Sequence, residues 1–386
     1  MFCKVSNLKS GVPCKVVSWA NTEKKDSDLF TSISQKTFIT DLMPPEAKVK
    51  LFGHQPPFTN TEINAVVKKW IAQAAIKERI YFFGSTAELG TIAAKKCLKQ
   101  AKGNIEDIDA IIGGTNTGPG YPSLADHIKL NLGGQSNAMC YDTTEACTVG
   151  ASAIFQGWSL IRSGACKKVL VVCAEKANTL TTADNYFGAN LFGDAAFAVL
   201  LSAADKDDFL FFDFQSLPYD GNIEAIIKAA TGFQQVGEKV HKFVGREVVN
   251  ALVAALEKAG IDPMFIKHLI SHQPSGKTLK LLMDKLLKQW ENVKFLEAFS
   301  NFSFSKIKQL ITERKNKDQD DKYIILFHRN VDVIGNASGA STGSLISRGL
   351  ANGTIKKGDI VLVVTFGAGL SIGIYAFVVG DSALAA

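Results

Sequence analysis

The chain has 386 residues, a length that allows two domains or one large duplicated α/β body. Hydrophobic residues make up 46% and charged residues 21% of the sequence, which excludes a chain that is disordered over most of its length. The net charge of +6 comes from lysines and arginines scattered along the chain, so nucleic-acid binding is not indicated.

The cysteines and the N-terminus indicate a cytoplasmic protein. There are seven cysteines, an odd number without a Cys-x-x-Cys pair, which argues against a disulfide framework and against a zinc site. The first residues, Met1–Asn7, lack the apolar segment of a secretory signal. We therefore expect a reducing compartment and no bound metal.

Three regions follow one another along the chain. The first 50 residues are assigned to an N-terminal extension with a first strand, and its polar run Asn21–Asp28 suggests no function. An N-terminal half over residues 51–205 and a C-terminal half over residues 206–386 come next. In both halves predicted strands alternate with predicted helices, which is the pattern of parallel sheets covered by helices.

Two pairs of matching segments indicate that the halves are a duplication. Helix, loop and buried strand over Leu98–Ile112 match those over Leu256–Ile270 at an offset of 158 residues. Loop, helix, turn and strand over residues 146–172 match those over residues 335–364 at an offset of 189. Because the offsets differ by 31 residues, we expect an insertion in the second copy, near residues 291–325.

Two stretches of the C-terminal half need separate interpretation. The charged stretch Thr312–Lys322 is interpreted as a solvated loop within the insertion. Residues 360–380 carry no charge over 21 positions, which is close to the length of a membrane span. Glycines interrupt this segment, so we predict two buried strands, Ile360–Thr365 and Ile372–Val379, joined by a glycine turn.

Three polar residues occupy loops that follow predicted strands. Cys147 precedes the helical stretch Gly150–Arg162, and a helix N-terminus favours thiolate over thiol. His272 follows one strand, and Asn336 follows Val331–Ile334, which is also predicted as a strand. Parallel strands carry their functional loops at the same end, so we expect the three side chains to converge. A thiolate, an imidazole and an amide together suit acyl transfer or carbon–carbon bond formation, at one site shared by both halves.

With these residues, the sequence resembles a known family, the thiolase-fold condensing enzymes, and within it the β-ketoacyl-ACP synthase III group. The resemblance extends over about Thr59–Gly380, and its motifs occur in the family's order. Those motifs are Thr59–Ile63, Trp70–Ile71, Tyr121–Ala125, the nucleophile loop Asp142–Cys147, Leu191–Ala196, Ser271–Pro274, Gly335–Ser341 and Thr365–Gly373.

The resemblance implies a fold and a mechanism. The fold is a thiolase-like duplicated α/β sandwich, with two mixed sheets and helices between and outside them (αβαβα). Cys147 would accept an acyl group from a thioester, while its backbone N–H and that of Ala368 or Gly369 hold the oxyanion. His272 and Asn336 would then donate hydrogen bonds to the thioester oxygen of a malonyl group as carbon dioxide leaves.

The resemblance also implies substrates, partners and binding residues. Trp70 and Lys277 would meet the coenzyme A or carrier-protein arm of the thioester, and Phe192 would help to bind substrate. Tyr121 would reach across a homodimer interface into the partner's acyl pocket. The expected substrates are acyl-CoA and malonyl-ACP, with acyl carrier protein as a partner, and no separate cofactor, nucleic acid or membrane is implied.

Three departures from the family pattern concern the binding residues. The arginine that usually follows Trp70, and that helps to hold the coenzyme A nucleotide, is missing or replaced by Gln73. Lys277 stands where arginine is usual, and lysine lacks the bidentate fork of a guanidinium. Glu145 replaces a small apolar residue; it would either accept backbone hydrogen bonds at a helix start, or act as a base or a wall of an unusual acyl pocket. An anion at this position would raise the pKa of Cys147.

Three other functions are compatible with parts of this pattern. A non-condensing acyltransferase of the same fold would pass the acyl group from Cys147 to an alcohol or amine. An enzyme like hydroxymethylglutaryl-CoA synthase would condense without decarboxylation. A non-catalytic partner subunit typically lacks the cysteine. His272 and Asn336 together favour decarboxylative condensation, since simple acyl transfer has less need for two enolate donors. The length of the acyl group cannot be inferred from the sequence.

Overall fold

The computed structural model describes residues 1–8, 10–219, 221–229, 232–299, 302–318 and 323–381. The strands up to residue 203 are β1 (Phe2–Lys4), β2 (Cys14–Asn21), β3 (Phe30–Ser34), β4 (Glu78–Phe82), β5 (Ala110–Gly114), β6 (Met139–Thr143), β7 (Lys168–Glu175) and β8 (Ala195–Ala203). The helices of this part are α1 (Gln35–Thr37), α2 (Pro45–Phe52), α3 (Asn60–Ala74), α4 (Thr86–Ala101), α5 (Leu124–Asn131), α6 (Val149–Arg162) and α7 (Tyr186–Leu191).

The rest of the chain adds a second set of elements. Its strands are β9 (Phe209–Ser216), β10 (Ile226–Ala229), β11 (Gly232–Gln235), β12 (Ile266–Ser271), β13 (Val293–Phe299), β14 (Tyr323–Arg329), β15 (Ile360–Gly367) and β16 (Ser371–Val378). Its helices are α8 (Gly237–Lys242), α9 (Val249–Ala259), α10 (Gly276–Leu286), α11 (Phe304–Asp318), α12 (Val331–Ile334) and α13 (Ser341–Ala351).

Two mixed sheets repeat one strand order. The first sheet runs β2-β8-β7-β5-β6, with β5 parallel to both of its neighbours and β8 antiparallel to both of its own. The second sheet contains the same arrangement as β9-β16-β15-β12-β14, extended by β1 at one edge and β13 at the other. This shared order confirms the predicted duplication.

The sheets and helices form five layers. Helices α6 and α13 pack between the two sheets, where they share one apolar core with both. Helices α4 and α5 cover the outer face of the first sheet, and α9 and α10 contribute to the core on the outer face of the second. The predicted αβαβα sandwich is therefore confirmed.

The residue-level match between the copies differs from the prediction at one of its two offsets. Helices α4 and α9 end at Ala101 and Ala259, which confirms the offset of 158. Helices α6 and α13 begin at Val149 and Ser341, 192 residues apart, so the predicted offset of 189 is wrong. Both copies contain a Gly-Ala-Ser run, at residues 150–152 and 339–341, but the two runs are three residues apart in position relative to the starts of their helices. Matching these small residues therefore gave an alignment that is shifted by three residues.

Three segments of the C-terminal part can be compared with their predictions. The hairpin of β15 and β16 is buried and antiparallel, as predicted. The segment Val331–Ile334 is one turn of helix, so its prediction as a strand is wrong. Residues 304–318 are helical, which corrects the solvated loop predicted from Thr312 onward, and residues 319–322 lie outside the described residues. None of the helices in the described part of the chain combines the length and apolar composition that a bilayer crossing requires.

The N-terminal extension packs on the N-terminal half. Strand β3 pairs with β4 in a separate two-stranded sheet. The residues after it form a small apolar cluster that includes Phe38, Ile39 and Met43. The buried guanidinium of Arg79 lies over the ring of Phe38, with 4.8 Å between the guanidinium carbon and the ring centroid. The domain boundaries proposed from the sequence remain predictions.

Candidate active site

The loop that carries Cys147 is held in an unusual backbone conformation. Cys147 lies in a 3₁₀ turn, Ala146–Thr148, that leads from β6 into α6. Ala146 adopts a φ of 45°, which is uncommon for a residue with a side chain, and Nδ2 of Asn116 donates to its carbonyl at 2.8 Å. Cys147 therefore sits at the N-terminus of α6, as predicted.

Burial of the Cys147 side chain favours its protonated thiol form. Burial raises its pKa to about 12, the Ser338 hydroxyl, whose oxygen lies 3.7 Å from Sγ, lowers it, and the Glu175 carboxylate raises it. Desolvation of the charged form therefore acts against the helix N-terminus, which favours the thiolate, and the predicted activation of Cys147 stays a prediction.

His272 is a neutral imidazole at the end of β12. Its backbone N–H donates to the carbonyl of Val364 at 2.8 Å, which continues the pairing of β12 with β15. Its ring meets that of Phe366 edge-on, with 5.3 Å between centroids. Burial lowers the pKa of His272 to about 3, and a hydrogen bond with the backbone of Ser338 acts in the opposite direction. A neutral ring can donate one hydrogen bond without bringing a charge to the site.

Hydrogen bonds of both its backbone and its side chain hold Asn336 in place. Its backbone N–H donates to the carbonyl of Leu191 at 2.9 Å, and its own carbonyl accepts from Gly193 N–H at 3.1 Å. Its side-chain Oδ1 accepts from the backbone N–H of Ser338 at 2.9 Å. With Oδ1 engaged in this way, the amide NH₂ is the group that can donate to a substrate.

One cavity of about 550 Å³ brings most of the predicted site together. It is lined by all three predicted catalytic residues and three of the predicted binding residues, namely Cys147, His272, Asn336, Trp70, Lys277 and Phe192. The structure also adds an apolar wall that the sequence analysis missed, formed by Phe187, Leu191, Ile226, Phe233, Val240 and Phe243. Two of these come from the β10–β11 hairpin, whose short alternating strands gave no distinct signal in the sequence.

Four of the predicted residues do not line this cavity. Ala368 and Gly369 lie in the turn between β15 and β16, and the cavity is lined instead by the preceding Gly367. The Glu145 carboxylate accepts a hydrogen bond from the hydroxyl of Ser152 in the first turn of α6. Within one chain Glu145 therefore does not line this cavity, and its role in binding substrate stays a prediction.

Tyr121 is fully exposed and does not line the cavity of its own chain. It lies in the loop between β5 and α5, directly before Pro122. Its predicted role needs a second subunit, so that role stays a prediction. A fully exposed aromatic side chain has the geometry that such a role requires.

Gly367 lets the C-terminal hairpin approach the nucleophile. A Cβ at this position would lie 2.7 Å from the backbone nitrogen of Cys147 and 3.2 Å from its Cβ. Only glycine fits so close an approach. The turn that follows is tied to the nucleophile loop, because the Thr148 and Ser371 hydroxyls lie 3.1 Å apart and Ser371 donates to Ala368.

Trp70 and Lys277 occupy different parts of the cavity. Trp70 is only 5% exposed, and its ring is packed edge-on against Tyr186 and Phe187, with centroids 5.7 and 5.8 Å away. Lys277 is exposed in the first turn of α10. The tryptophan therefore presents little open surface to a ligand, while the lysine is free to meet an anionic group.

Of the residues that the structure describes, no three His, Cys, Asp or Glu side chains are grouped so that they could hold a metal ion. The polar groups that line the cavity include a thiol, an imidazole and an amide, from Cys147, His272 and Asn336.

Comparison with known proteins gives consistent matches. A family model for 3-oxoacyl-[acyl-carrier-protein (ACP)] synthase III matches residues 141–218, and the model for its C-terminal part matches residues 326–379. A β-ketoacyl-[acyl-carrier-protein] synthase III of Trichodesmium erythraeum is 30% identical over 309 residues, which cover 76% of this chain and 83% of the relative. One from Clostridioides difficile is 28% identical over 326 residues, 79% of this chain and 88% of the relative.

A solved structure supports the same fold. The crystal structure of 3-oxoacyl-(acyl-carrier protein) synthase from Burkholderia xenovorans superposes with a TM-score of 0.74 at 17% identity. The superposition covers 97% of this chain and 96% of that one. At this identity the likeness concerns the fold.

Five alternating layers, with a cysteine from one half facing a histidine and an asparagine from the other, define a thiolase-fold condensing enzyme. The identity of 30% over 76% of the chain places it within that class. The chain belongs to the β-ketoacyl-ACP synthase III family and is an acyltransferase. The family resemblance inferred from the sequence motifs is confirmed.

Proposed function

We propose that this protein transfers an acyl group to Cys147 and joins it to a malonyl thioester by decarboxylative Claisen condensation, in fatty-acid or related acyl-chain biosynthesis. The observation that carries the proposal is the meeting of a thiol, a neutral imidazole and an oriented amide in one cavity. Each of these groups suits one step of the reaction.

The first step is acylation of Cys147. The thiolate attacks the carbonyl carbon of an acyl thioester, the carbon–sulfur bond to the donor breaks, and the donor leaves as a thiol after taking up a proton. The backbone N–H of Cys147 is one donor to the tetrahedral oxyanion. The second donor to the oxyanion would be the backbone N–H of Ala368 or Gly369. These residues lie in the turn that the contact between the Thr148 and Ser371 hydroxyls joins to the nucleophile loop.

The second step is decarboxylation of the malonyl group and carbon–carbon bond formation. Negative charge develops on the thioester oxygen as carbon dioxide leaves, and His272 and Asn336 donate to that oxygen. Neither donor is charged, so the enolate is stabilised without being neutralised, and it attacks the acyl carbonyl on Cys147. Expulsion of the Cys147 thiolate then releases the β-ketoacyl product.

The cavity supports thioesters with an apolar acyl group. Its wall of phenylalanine, leucine, isoleucine and valine side chains suits an alkyl chain. Lys277 suits the phosphate of a phosphopantetheine arm or the acidic surface of an acyl carrier protein. Packing of Trp70 against Tyr186 and Phe187 leaves little of its ring for a nucleotide base. We therefore propose malonyl-ACP as the extender, and either acyl-CoA or acyl-ACP as the donor.

Two further parts of the proposal concern assembly and location. We propose a homodimer in which the exposed Tyr121 enters the partner's acyl pocket. All seven cysteines are free thiols, which suits a reducing cytoplasm. The thioesters are the only cofactor-like groups that the reaction needs.

The alternatives are less well supported by the site. A non-condensing acyltransferase would not need the orientation of Asn336 by Ser338, which prepares an amide donor. Condensation without decarboxylation needs a general base for the acetyl group. Glu145 lies outside the cavity, and Glu238, which lines it, is exposed to solvent.

Intact-protein mass spectrometry tests the acylation step. Incubation with a panel of acyl-CoA and acyl-ACP donors should add one acyl mass to the wild-type chain and none to Cys147→Ala. Cys140→Ala is the matched control, because Cys140 is also half-buried but lies outside the cavity, and it should be acylated like the wild type. An undiminished adduct in Cys147→Ala would refute the proposal.

A further inference from the structure

Asn116 is a half-buried amide beside the nucleophile loop, and the mechanism proposed above does not use it. Its Nδ2 donates to the carbonyl of Ala146 at 2.8 Å and to Oε1 of Glu175, and it lies 3.3 Å from the hydroxyl oxygen of Ser338. All three neighbours can accept a hydrogen bond, so the NH₂ end of the amide faces them. Nδ2 carries two hydrogens and the Ser338 oxygen is the most distant of the three acceptors. The two hydrogens therefore serve Ala146 and Glu175.

Glu175 holds Asn116 in this orientation. It is a fully buried carboxylate at the end of β7, and its Oε2 accepts from the backbone N–H of Asn116 at 3.0 Å and from the Thr117 hydroxyl at 3.1 Å. Burial raises the pKa of Glu175 to about 7, and the hydrogen bonds from Asn116 and Thr117 act in the opposite direction. The main chain and the side chain of Asn116 are thus bonded to one buried group, which fixes the amide in place.

The carbonyl that Asn116 holds belongs to the same peptide unit as the backbone N–H of Cys147. This peptide bond is trans, and the C=O and N–H of a planar trans peptide point in opposite directions. A hydrogen bond to the Ala146 oxygen therefore also sets the direction of the Cys147 N–H. The Cys147 nitrogen lies beside the β15–β16 hairpin, since a Cβ on Gly367 would be 2.7 Å from it. The turn of that hairpin carries the second oxyanion donor proposed above.

The backbone of this loop needs such support. Ala146 has a φ of 45°, a left-handed conformation that is unfavourable for a residue with a side chain. The peptide between Ala146 and Cys147 is therefore held by contacts from outside the loop, and the hydrogen bond from Asn116 is one that acts on its oxygen directly.

We propose that Asn116, fixed by the buried carboxylate of Glu175, is a positioning residue that aims the backbone N–H of Cys147 at the oxyanion formed during acyl transfer. The inference rests on the proposed function, in which Cys147 is acylated and its N–H is an oxyanion donor. Asn116 touches neither the substrate nor the reacting sulfur in this account. It acts only through the peptide that precedes the nucleophile.

This role predicts different effects on two reactions of the same thiolate. Attack on an ester or thioester carbonyl places negative charge on an oxygen, which the Cys147 N–H stabilises. Attack on iodoacetamide forms a carbon–sulfur bond at a saturated carbon and expels iodide, so no oxyanion develops. Asn116→Leu should slow acylation by about 10- to 100-fold and leave alkylation within about threefold of the wild type, because only acylation uses the aimed N–H.

The experiment measures both rates on Cys147 at about pH 8, where a thiolate is the attacking species in each reaction. Acylation by p-nitrophenyl acetate and alkylation by iodoacetamide are followed by peptide mass spectrometry, and unfolding by urea shows that each variant is folded. Asn116→Asp is a second variant of the same shape. A carboxyl group has one hydrogen at most, so it cannot donate to both Ala146 and Glu175, and we expect the same selective loss of acylation.

Asn178→Leu is the matched control. Asn178 is also half-buried, and its backbone N–H and Nδ2 donate to the buried carboxylate of Asp194, the first at 3.0 Å. The same kind of amide–carboxylate pair is lost, but its amide bonds to Asp194 and not to the nucleophile loop. We expect a comparable loss of stability, with both rates on Cys147 close to those of the wild type.

Four results would overturn the inference. Folded Asn116 variants that are acylated at the wild-type rate would show that the N–H keeps its direction without the amide. Equal losses of acylation and alkylation would place the effect of Asn116 on the thiol itself. A selective loss of acylation in Asn178→Leu would make the effect a general one of stability. A wild-type Cys147 that reacts with iodoacetamide but not with the ester would show that its N–H stabilises no oxyanion.

Failure of the proposed function gives a different result. A chain that is acylated by p-nitrophenyl acetate, but by none of the acyl-CoA and acyl-ACP donors, would refute the proposed function. The comparison of acylation with alkylation would still test the role of Asn116 in that case.

Discussion

Gly367→Ala is expected to impair acylation by displacing the nucleophile loop. The added Cβ would lie 2.7 Å from the backbone nitrogen of Cys147. Ordinary contacts need about 3.5 Å, so the loop or the β15–β16 turn must shift by roughly 0.8 Å. A displacement of about 1 Å at a reacting group costs on the order of 100-fold in rate, and we expect a loss of about 10- to 100-fold in acylation.

The assay separates this loss from a loss of stability. The rate of acyl-adduct formation on Cys147 is followed by rapid-quench mass spectrometry, and unfolding by urea is measured on the same protein. Overpacking a close contact of this kind lowers the free energy of unfolding by about 1–3 kcal/mol. That is too little to unfold a typical domain, so the folded variant can be assayed.

Gly373→Ala is the matched control for this effect. Gly373 lies on the same hairpin, and a Cβ there would be 2.7 Å from the hydroxyl oxygen of Thr365 and 2.9 Å from the ring of Phe214. The crowding is similar, but it falls on side chains away from Cys147, so we expect a comparable loss of stability and an acylation rate close to the wild type. Equal losses of acylation in both variants, or a normal rate in Gly367→Ala, would refute the reasoning.

Two further predictions concern protonation and chain length. In Cys147→Ala, the rate of malonyl decarboxylation should be constant from about pH 5.5 to pH 8, because the pKa of His272 is lowered to about 3 and its ring stays neutral over this range. A rate that falls at low pH with a midpoint near pH 6.5, the ordinary pKa of histidine, would contradict this prediction. Phe233→Ala should shift the donor preference to longer acyl groups. The Phe233 ring packs against that of Phe192 in the apolar wall, with 4.9 Å between the ring centroids, so its removal enlarges the pocket. Each methylene that the enlarged pocket buries should raise kcat/KM for the longer donor roughly fourfold, measured across a donor series, and an unchanged preference would place the acyl chain elsewhere.

The parts of the fold that the sequence predicted depend on strong local patterns. The buried hairpin of β15 and β16 follows from two uncharged, β-branched segments around glycines. The placement of Cys147, His272 and Asn336 around one cavity follows from loops at the ends of repeated strands. These predictions needed only the chain order of the elements, without knowledge of how their side chains pack.

The parts that the sequence did not predict depend on packing between distant segments. Val331–Ile334 contains three β-branched residues and resembles a strand, yet its one helical turn is held by contacts such as that from Lys77 N–H to the carbonyl of Asp332, at 3.0 Å. The Ser338 hydroxyl lies 3.7 Å from Sγ of Cys147 although the two residues are 191 positions apart in the chain, and neither residue gives a local signal of this contact. The high pKa of the Cys147 thiol is set by burial, which sequence position alone does not reveal.

The central claim is that Cys147 is acylated while His272 and Asn336 serve the decarboxylation of the malonyl group, and one paired measurement tests it. Acyl-adduct formation on Cys147 and release of carbon dioxide from malonyl-ACP are measured in the wild type, His272→Ala and Asn336→Ala. Removing one hydrogen-bond donor to a developing oxyanion slows a reaction by about 100- to 1,000-fold, so we expect decarboxylation to fall by this factor in each variant while acylation stays within about tenfold. Equal losses of acylation and decarboxylation would contradict the assignment of His272 and Asn336 to the malonyl step.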